Sequence, residues 1–139
     1  MESLALSKSW VQFLAMPRAQ PISRSHCPIG SSLDVLGDRW TLLVVRDLFH
    51  GKSRFGEIAQ SPEKIPTNIL ADRLVRLEEA GIIESKTYQE NPPRYAYSLT
   101  RKGRELAPVL GALAFWAMNH VPGVKADEKL HRMLRAAVR

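Results

Sequence analysis

The middle of this chain combines a helical pattern with two short strands, and few small folds accommodate that order. Residues 66–80 predict a helix, because Leu70, Leu74 and Leu77 recur there at helical spacing. Gly81 follows at the position where a residue in the left-handed conformation commonly ends a helix. The three leucines should therefore turn one side of this helix toward a core.

The residues after this helix predict a β-hairpin. Residues 82–87 form the first predicted strand, and a later alternating run places Tyr95, Tyr97 and Leu99 on one face. The Pro92-Pro93 pair lies between them and cannot continue a ladder, because neither proline has an amide proton to donate. A helix followed at once by a basic-tipped hairpin is typical of a winged helix, an architecture that mostly holds DNA.

Three further helices are predicted before residue 66. Cys27-Pro28 opens the first of them, because proline is favoured at the first helical position. Asp38 can cap the second, which is apolar nearly all round from Trp40 to Phe49 and should form the centre of the core. The third is short, begins at Ser53 and turns Phe55 inward.

A long helix is predicted after the hairpin. Thr100 can cap this helix, which should run to about Val121 and be kinked by Pro108 with Gly111. Its apolar residues cover more than one side, and this distribution predicts two buried faces. A basic tail with helical potential follows.

The predicted fold is α+β, mainly α with one small β-hairpin: a winged helix-turn-helix with N- and C-terminal dimerisation helices. Residues 1–25 form an N-terminal arm and linker, residues 26–121 the winged helix-turn-helix domain with its C-terminal dimerisation helix, and residues 122–139 a basic helical tail. The terminal segments carry more apolar surface than one small domain can cover, so we predict a homodimer. The predicted anchors of its interface are Trp10, Phe13, Leu113 and Trp116.

Composition narrows the class of protein. The net charge of +6 favours a polyanionic partner, although only weakly, because many unrelated proteins are basic. No apolar run approaches the roughly 18 to 20 residues that a membrane helix needs, and the N-terminus lacks the cationic start of a signal peptide. A single cysteine excludes an internal disulfide and fits a reducing compartment. We therefore expect a soluble cytoplasmic protein without a membrane partner.

Several short motifs occur in a fixed order along residues 26–120. They are Cys27-Pro28, Leu36-Gly37-Asp38-Arg39-Trp40-Thr41-Leu42-Leu43, Gly51-Lys52-Ser53-Arg54-Phe55-Gly56-Glu57-Ile58, Asn68-Ile69-Leu70-Ala71-Asp72-Arg73-Leu74, Pro92-Pro93-Arg94 and Tyr97-Ser98-Leu99-Thr100. This ordered set resembles the HxlR-type winged helix-turn-helix regulators. The resemblance implies a bacterial transcription factor that dimerises through terminal helices and binds paired half-sites of double-stranded DNA.

The helix over residues 66–80 carries the predicted base contacts. With its leucines turned inward, its opposite side presents Asn68, Asp72, Val75 and Glu79, with Ala71 and Arg76 at the margins. Asn68 can pair with adenine, Asp72 can accept from a cytosine amine, and Thr67 can touch a phosphate or a thymine methyl. Two alternatives stay open: Thr67 as a simple helix cap, and Asp72 as the ion-pair partner of Arg76.

Other basic and polar side chains are candidate contacts to the DNA backbone. Arg94 at the base of the hairpin can reach a phosphate or the minor groove, because the loop projects beyond the domain. Lys52, Ser53 and Arg54 can contact phosphates, or can form a solvated turn with a helix cap. Arg73 lies nearer the inward side, where it can bond to the backbone or to a phosphate.

Cys27 is the one residue with reactive potential. Exposed amides and the dipole at a helix N-terminus stabilise a thiolate and lower its pKa. The family resemblance adds that some members sense oxidants or electrophiles with a cysteine here. Cys27 is thus a candidate sensor, and an electrophile or other small molecule a candidate effector. The alternative is a small hydrophobic residue in the core.

Two other classes of protein, enzymes and protein-binding modules, can be compared with the sequence. The sequence has no phosphate-binding glycine loop, no HExxH motif and no zinc-ligand spacing, so we expect no enzyme, no metal site and no cofactor. A winged-helix module that binds another protein, without specific DNA readout, is the alternative function. An acidic or apolar surface around Asn68 would favour that alternative, since Glu78, Glu79 and Glu84 are nearby.

Overall fold

The structure is a computed structural model and describes residues 25–137, which form seven α-helices and one antiparallel β-hairpin. The helices are α1 (Pro28–Leu36), α2 (Thr41–Phe49), α3 (Phe55–Ala59), α4 (Thr67–Glu79), α5 (Arg101–Arg104), α6 (Ala107–His120) and α7 (Glu128–Ala137). The hairpin, which we call the wing, consists of β1 (Ile83–Glu90) and β2 (Pro93–Leu99). This architecture confirms the predicted mainly helical fold. Over the described range, no helix has the length and apolar character needed to cross a membrane.

The core lies where α2, α3, α4 and the wing meet. Its most deeply buried large apolar side chains are Val44 and Val45 of α2, Ile58 of α3, Leu70, Leu74 and Leu77 of α4, and Ile83 of β1. Burying a side chain of this size contributes about 1.5–3 kcal/mol, so these residues supply much of the folding free energy. The predicted inward leucine stripe and the central position of α2 are both confirmed.

The helix α4 is buried over a wider arc than its leucines predict. Ala71 is fully buried and Val75 is 6% exposed, so the prediction that Val75 faces outward and Ala71 lies at a margin is wrong. The helix contacts both α2 and β1, and two neighbours cover more of its circumference than one would. Asn68 and Glu79 are exposed, as predicted.

The wing is longer than the sequence pattern indicates. Ile83 pairs with Leu99 at its base and Glu90 pairs with Pro93 near its tip, so β1 extends beyond the predicted residues 82–87. Pro93 was expected in the loop, but it begins β2. A proline is accommodated there, because the first residue of an edge strand need not donate an amide proton.

Two glycines mark the junctions around the wing. Gly81 has a φ of +73°, the left-handed conformation predicted for the residue that ends α4. Gly103 lies so close to the backbone that a Cβ there would stand 2.1 Å from the carbonyl oxygen of Ile82. The Oγ1 of Thr100 accepts the amide proton of Gly103 over 3.1 Å, so Thr100 caps a helix as predicted.

The helix predicted after the wing is interrupted. The chain forms α5 and then, after residues 105 and 106, the separate helix α6 with Pro108 in its first turn. Because proline cannot donate to the preceding turn and clashes with it, the helix restarts instead of bending. The prediction of a single kinked helix is therefore wrong. The tail forms the helix α7, as predicted. It packs closely against α6 at Gly111, where a Cβ would lie 3.2 Å from Cδ2 of Leu134.

Candidate DNA-binding surface

The helix-turn-helix consists of α3, the linking residues 60–66 and α4, which we call the recognition helix. Phe55 of α3 faces the core as predicted. The recognition helix begins at the surface with Thr67 and Asn68, both exposed. Its N-cap is Pro66, whose side chain makes no capping hydrogen bond. Thr67 is therefore the first residue of the helix and not its cap, and no capping side chain occupies the first amide groups.

A buried polar cluster fixes the link between the two helices. Asp47 of α2 is 2% exposed. Its carboxylate accepts a hydrogen bond from the hydroxyl of Ser61 and forms a salt bridge with Arg46 over 2.9 Å. Arg46 also donates two hydrogen bonds of 2.8 Å to Glu63, which hold the pKa of that carboxyl below its usual value. The Nζ of Lys52 donates to Ser61 over 3.2 Å, so this candidate phosphate contact is directed into the cluster.

A second network fixes the recognition helix itself. Arg73 donates from Nε to Oδ2 of Asp38 over 2.7 Å and also binds Asp72, which Arg76 contacts over 3.0 Å. Burial opposes ionisation of Asp38, but hydrogen bonds from Thr41 and Arg73 outweigh it and hold the pKa of Asp38 below its usual value. The network ties the recognition helix to the residues that precede α2.

This network includes two of the residues that the sequence predicts as DNA contacts, Asp72 and Arg73. The side chain of Asp72 is 14% exposed and lies against two guanidinium groups, so the alternative of an ion pair with Arg76 is confirmed. Arg73 bonds to carboxylates within the domain. Of the four candidates on the recognition helix, only Thr67 and Asn68 present exposed side chains.

The start of α3 is joined to the wing. The carbonyl of Ser53 accepts the amide proton of Tyr97 over 2.7 Å, and Arg54 forms an isolated β-bridge with Ala96. Because residues 53 and 54 are engaged with β2, α3 begins at Phe55, and the prediction that it begins at Ser53 is wrong. The bridge places the candidate contacts Ser53 and Arg54 beside the wing.

Two arginines lie on the wing side of the domain. The guanidinium of Arg54 lies over the ring of Tyr88 in β1, with its Cζ 4.3 Å from the ring centroid. Arg54 is exposed, and Tyr88 is 41% exposed. Arg94 is half-buried, and its Nε has no hydrogen-bond partner among residues 25–137. The contact of Tyr88 with Arg54 was not predicted from the sequence. The one signal for it was the presence of an aromatic residue in a strand that has few other apolar side chains.

Cys27 lies at the N-terminus of α1, directly before Pro28 in the first helical turn. Its thiol is exposed, so the alternative of a core residue is wrong for the single chain. Hydrogen bonds from the backbone amides of Gly30 and Ile29 lower the pKa of the thiol. Across the described residues, no group of three or more histidine, cysteine or acidic side chains could hold a metal ion.

The outer face of α6 is apolar and exposed in the single chain. Leu113, Phe115 and Trp116 are 51%, 66% and 61% exposed. The prediction of two buried faces is therefore not met within one chain. Leu113 and Trp116 are predicted dimer anchors, whereas the other two, Trp10 and Phe13, lie outside the described residues. Large exposed apolar side chains on α1 are Ile29, Leu33 and Val35.

Comparison with known sequences identifies the family. The profile of HxlR-like helix-turn-helix proteins matches residues 35–125, from the end of α1 to the segment before α7. This chain belongs to the HxlR-like helix-turn-helix family. It is 45% identical over 87 residues to the HTH-type transcriptional regulator sll1512 of Synechocystis, covering 63% of this chain and 64% of that protein. It is 39% identical over 92 residues to the HTH-type transcriptional regulator YvaP of Bacillus subtilis, covering 66% and 85%.

Solved structures of HxlR-like and related regulators share the fold. The reduced form of the transcriptional regulator YodB from B. subtilis superposes with a TM-score of 0.59 at 33% identity, covering 73% of this chain and 100% of YodB. YodB has also been solved after diamide treatment and with bound quinone. The chain spans less than two thirds of sll1512, which is 64% covered. Its domain is the winged helix-turn-helix of transcription regulators, and the matched relatives bear the names of transcriptional regulators.

Proposed function

We propose that this HxlR-like protein is a transcriptional regulator that binds a palindromic DNA operator as a homodimer. The exposed start of the recognition helix carries this proposal. Residues at the N-terminus of such a helix reach base edges in the major groove of DNA. Thr67 and Asn68 occupy that position, and both are exposed.

The exposed residues of the recognition helix divide into a base contact and a phosphate contact. The side-chain amide of Asn68 can donate to and accept from one adenine, which makes it the base-reading residue. Thr67 approaches a phosphate or a thymine methyl. The first amides of the helix, which Pro66 leaves without a capping side chain, favour a phosphate through their protons and the helix dipole.

The ion-paired residues of the recognition helix orient it. Asp72 and Arg73 lie against charged partners, and releasing either from its network would leave a part-buried charge without compensation. In this proposal they set the angle at which Asn68 enters the groove. A change at Arg73 would therefore alter affinity through the helix position.

The wing side of the domain supplies the phosphate contacts. A guanidinium stacked on an aromatic face keeps its in-plane N–H groups free, and these groups suit a phosphate. The Cζ of Arg54 lies over the ring of Tyr88, and Arg54 is exposed. Ser53 lies beside it, and Arg94 extends the basic surface to the wing. Such contacts fix the position of the protein on the duplex without reading its sequence.

The exposed apolar face supports the homodimer. Aromatic side chains that stay exposed in a single chain commonly become anchors when they are buried in an interface. Phe115 and Trp116 on α6 are the most exposed aromatic residues of the described part. A two-fold axis would relate two recognition helices, so the operator should contain inverted half-sites about 34–36 Å apart, or a multiple of that distance.

We further propose that modification of Cys27 controls DNA binding. The thiol is exposed and the adjacent amides favour its anion, which is the nucleophilic form. A quinone would form a C–S bond with this thiolate and take up a proton on its oxygen. The sequence has one cysteine, so any disulfide would join two protomers or link the protein to a small thiol.

Selection of bound sequences from a random duplex library tests the proposed function. The full-length protein should enrich an inverted repeat, and Asn68→Ala should lose preference at one position in each half-site. Glu79→Ala, which removes an exposed side chain at the other end of the same helix, should select the unchanged repeat. Absence of any enriched repeat, together with absence of retention on heparin at low salt, would favour the protein-binding alternative.

A further inference from the structure

A cavity of about 650 Å³ lies on the side of the domain formed by the end of α2, the start of α6 and the tail helix α7. None of the residues that line it belongs to α3, the recognition helix or the wing. Cavities of about 300–1,000 Å³ are typical of sites for small organic ligands. This cavity is therefore large enough for such a ligand and separate from the proposed DNA-binding surface.

One part of the cavity wall is apolar. Phe49 at the end of α2, Ala107 and Pro108 at the start of α6, and Met133 of α7 line it. Met133 is 8% exposed. A phenyl ring, a proline ring and a thioether offer polarisable surfaces against which a flat aromatic ring can pack. The apolar wall thus favours a ligand with an aromatic body.

The other part of the wall is cationic. Lys129 and Arg132 of α7 line the cavity together with Met133 and Ala136, at a spacing that places all four on one face of the helix. Among residues 25–137, neither Lys129 nor Arg132 forms a salt bridge. Both cations are therefore available to an anionic group on a ligand.

The remaining charged residues of the wall that form α5 and its end are Arg104 and Glu105. Arg104 donates from its guanidinium to the carbonyl of Leu99 over 3.0 Å. Glu105, the one carboxylate in the wall, is 3.8 Å from the guanidinium of Arg101. Asp127 precedes α7 and accepts the amide proton of Leu130 over 2.8 Å. The charge presented by the wall is consequently positive.

The imidazole of His50 also belongs to the cavity wall. The Nε2 of His50, which lines the cavity, is buried and lacks a hydrogen-bond partner within the described part of the chain. A buried polar atom without a partner costs about 1–3 kcal/mol, and most such atoms in proteins have one. Burial and the nearby Arg46 lower the pKa of His50.

The cavity depends on a segment outside the family match. The matched range ends at residue 125, whereas α7 begins at Glu128. Close packing at Gly111, where a Cβ would lie 3.2 Å from Cδ2 of Leu134, holds α7 against α6. The site is thus formed in part by residues beyond the range of the family match.

We propose that this cavity binds a small aromatic carboxylate. The ring would lie between Phe49 and Met133, and the carboxylate would bond to Lys129 and Arg132. This inference does not depend on the proposed DNA binding, because its test measures ligand binding alone. A site of this composition discriminates by charge, since a neutral analogue of the same shape leaves both cations without a partner.

Titration of the full-length protein with 2-naphthoate tests this site, with the neutral 2-naphthamide as the matched ligand. The carboxylate should bind at least about tenfold more tightly than the amide. The double variant Lys129→Gln/Arg132→Gln should weaken naphthoate binding by about tenfold or more. Arg135→Gln removes a 73%-exposed cation of the same helix that does not line the cavity, and it should leave the Kd unchanged. Equal binding of the two compounds, or no binding of naphthoate, overturns the proposal.

Methyl NMR of the four methionines locates the ligand. The resonance of Met133, assigned through Met133→Leu, should shift on addition of naphthoate, while Met118 of α6 should stay unchanged. A shift confined to Met118 would place the ligand outside the cavity and contradict the proposal. Thermal unfolding of each glutamine variant checks that its fold is retained, as expected because all three replaced side chains are exposed.

Discussion

The Nε of Arg73 donates a proton to Oδ2 of Asp38 over 2.7 Å, and this bond joins the middle of the recognition helix to the turn before α2. Asp38 accepts two more hydrogen bonds there, from the backbone amides of Trp40 and Thr41 over 3.0 Å and 3.2 Å. Trp40 is the N-cap residue of α2, so Asp38 is not its cap as predicted, but its carboxylate accepts the amides at the start of that helix and holds the recognition helix against it. Stability and the orientation of the proposed DNA-binding surface are therefore linked through this residue.

Replacing Asp38 should therefore destabilise the domain and weaken operator binding. Asp38→Ala removes the acceptor of two backbone amides at the start of α2 and one of the two carboxylates paired with Arg73, so we expect a loss of about 2 kcal/mol in the free energy of unfolding. Urea denaturation with an unchanged m-value measures this loss. Glu79→Ala removes an exposed carboxylate of the recognition helix and should cost less than about 0.5 kcal/mol. Equal stability of the two variants would contradict the role given to Asp38.

Base reading and phosphate anchoring should separate in two variants. Asn68→Ala should cost about 1–3 kcal/mol on the preferred operator and relax preference at one base position. Arg94→Ala should weaken binding to most sequences alike and reduce the slope of log K against log salt by about one unit. Fluorescence anisotropy with specific and scrambled duplexes at several salt concentrations measures both effects. If Asn68→Ala binds both duplexes as the wild type does, Asn68 does not read a base.

The local pattern of the sequence was sufficient for part of this surface. Leucine spacing identified the buried stripe of the recognition helix, and Gly81 marked its end. The burial of Val75 was missed, because periodicity reports that a helix has an inward side but not how many neighbours cover it. The pairing of Arg54 with Tyr88 was also missed, since it joins segments distant in the chain. Asp72 could be placed in an ion pair, because its partner Arg76 lies one helical turn away.

Disrupting the exposed face of α6 should produce monomers. Trp116→Glu places a charge in the predicted interface, where it would be buried without a partner in a dimer. We expect a monomeric mass by light scattering at micromolar concentration, and loss of operator binding with the fold retained by circular dichroism. Gln60→Glu adds the same charge at an exposed position after α3, outside the proposed interface, and should leave the dimer intact. A wild type that is already monomeric would contradict the proposed assembly.

Cys27 should react as a thiolate at a lower pH than an ordinary cysteine. Because the amides of Gly30 and Ile29 lower the pKa of its thiol, alkylation by iodoacetamide should reach half its maximal rate at a lower pH in the folded protein. The same protein unfolded in urea provides the reference. Cys27→Ser should bind the operator normally and stay bound in the presence of a quinone that releases the wild type. If fully alkylated wild type keeps its operator, Cys27 does not control binding.

The ion pair beneath the helix-turn-helix link should make stability depend on acid pH. Two hydrogen bonds of 2.8 Å from Arg46 lower the pKa of Glu63 below its usual 4.5, so the folded state favours the ionised carboxyl. A group whose pKa is lowered on folding stabilises the protein above its unfolded pKa, and that stabilisation is lost as pH falls through the folded value. Glu63→Gln should therefore be less stable than the wild type at pH 7. The difference should shrink as the pH is lowered below 4.5 and the wild-type carboxyl takes up its proton.

Urea denaturation of both proteins at a series of pH values measures this convergence. Addition of 1 M salt should reduce the difference in stability at pH 7, because Glu63 is 35% exposed. Parallel curves down to the acid limit would show that the Arg46–Glu63 pair does not stabilise the link.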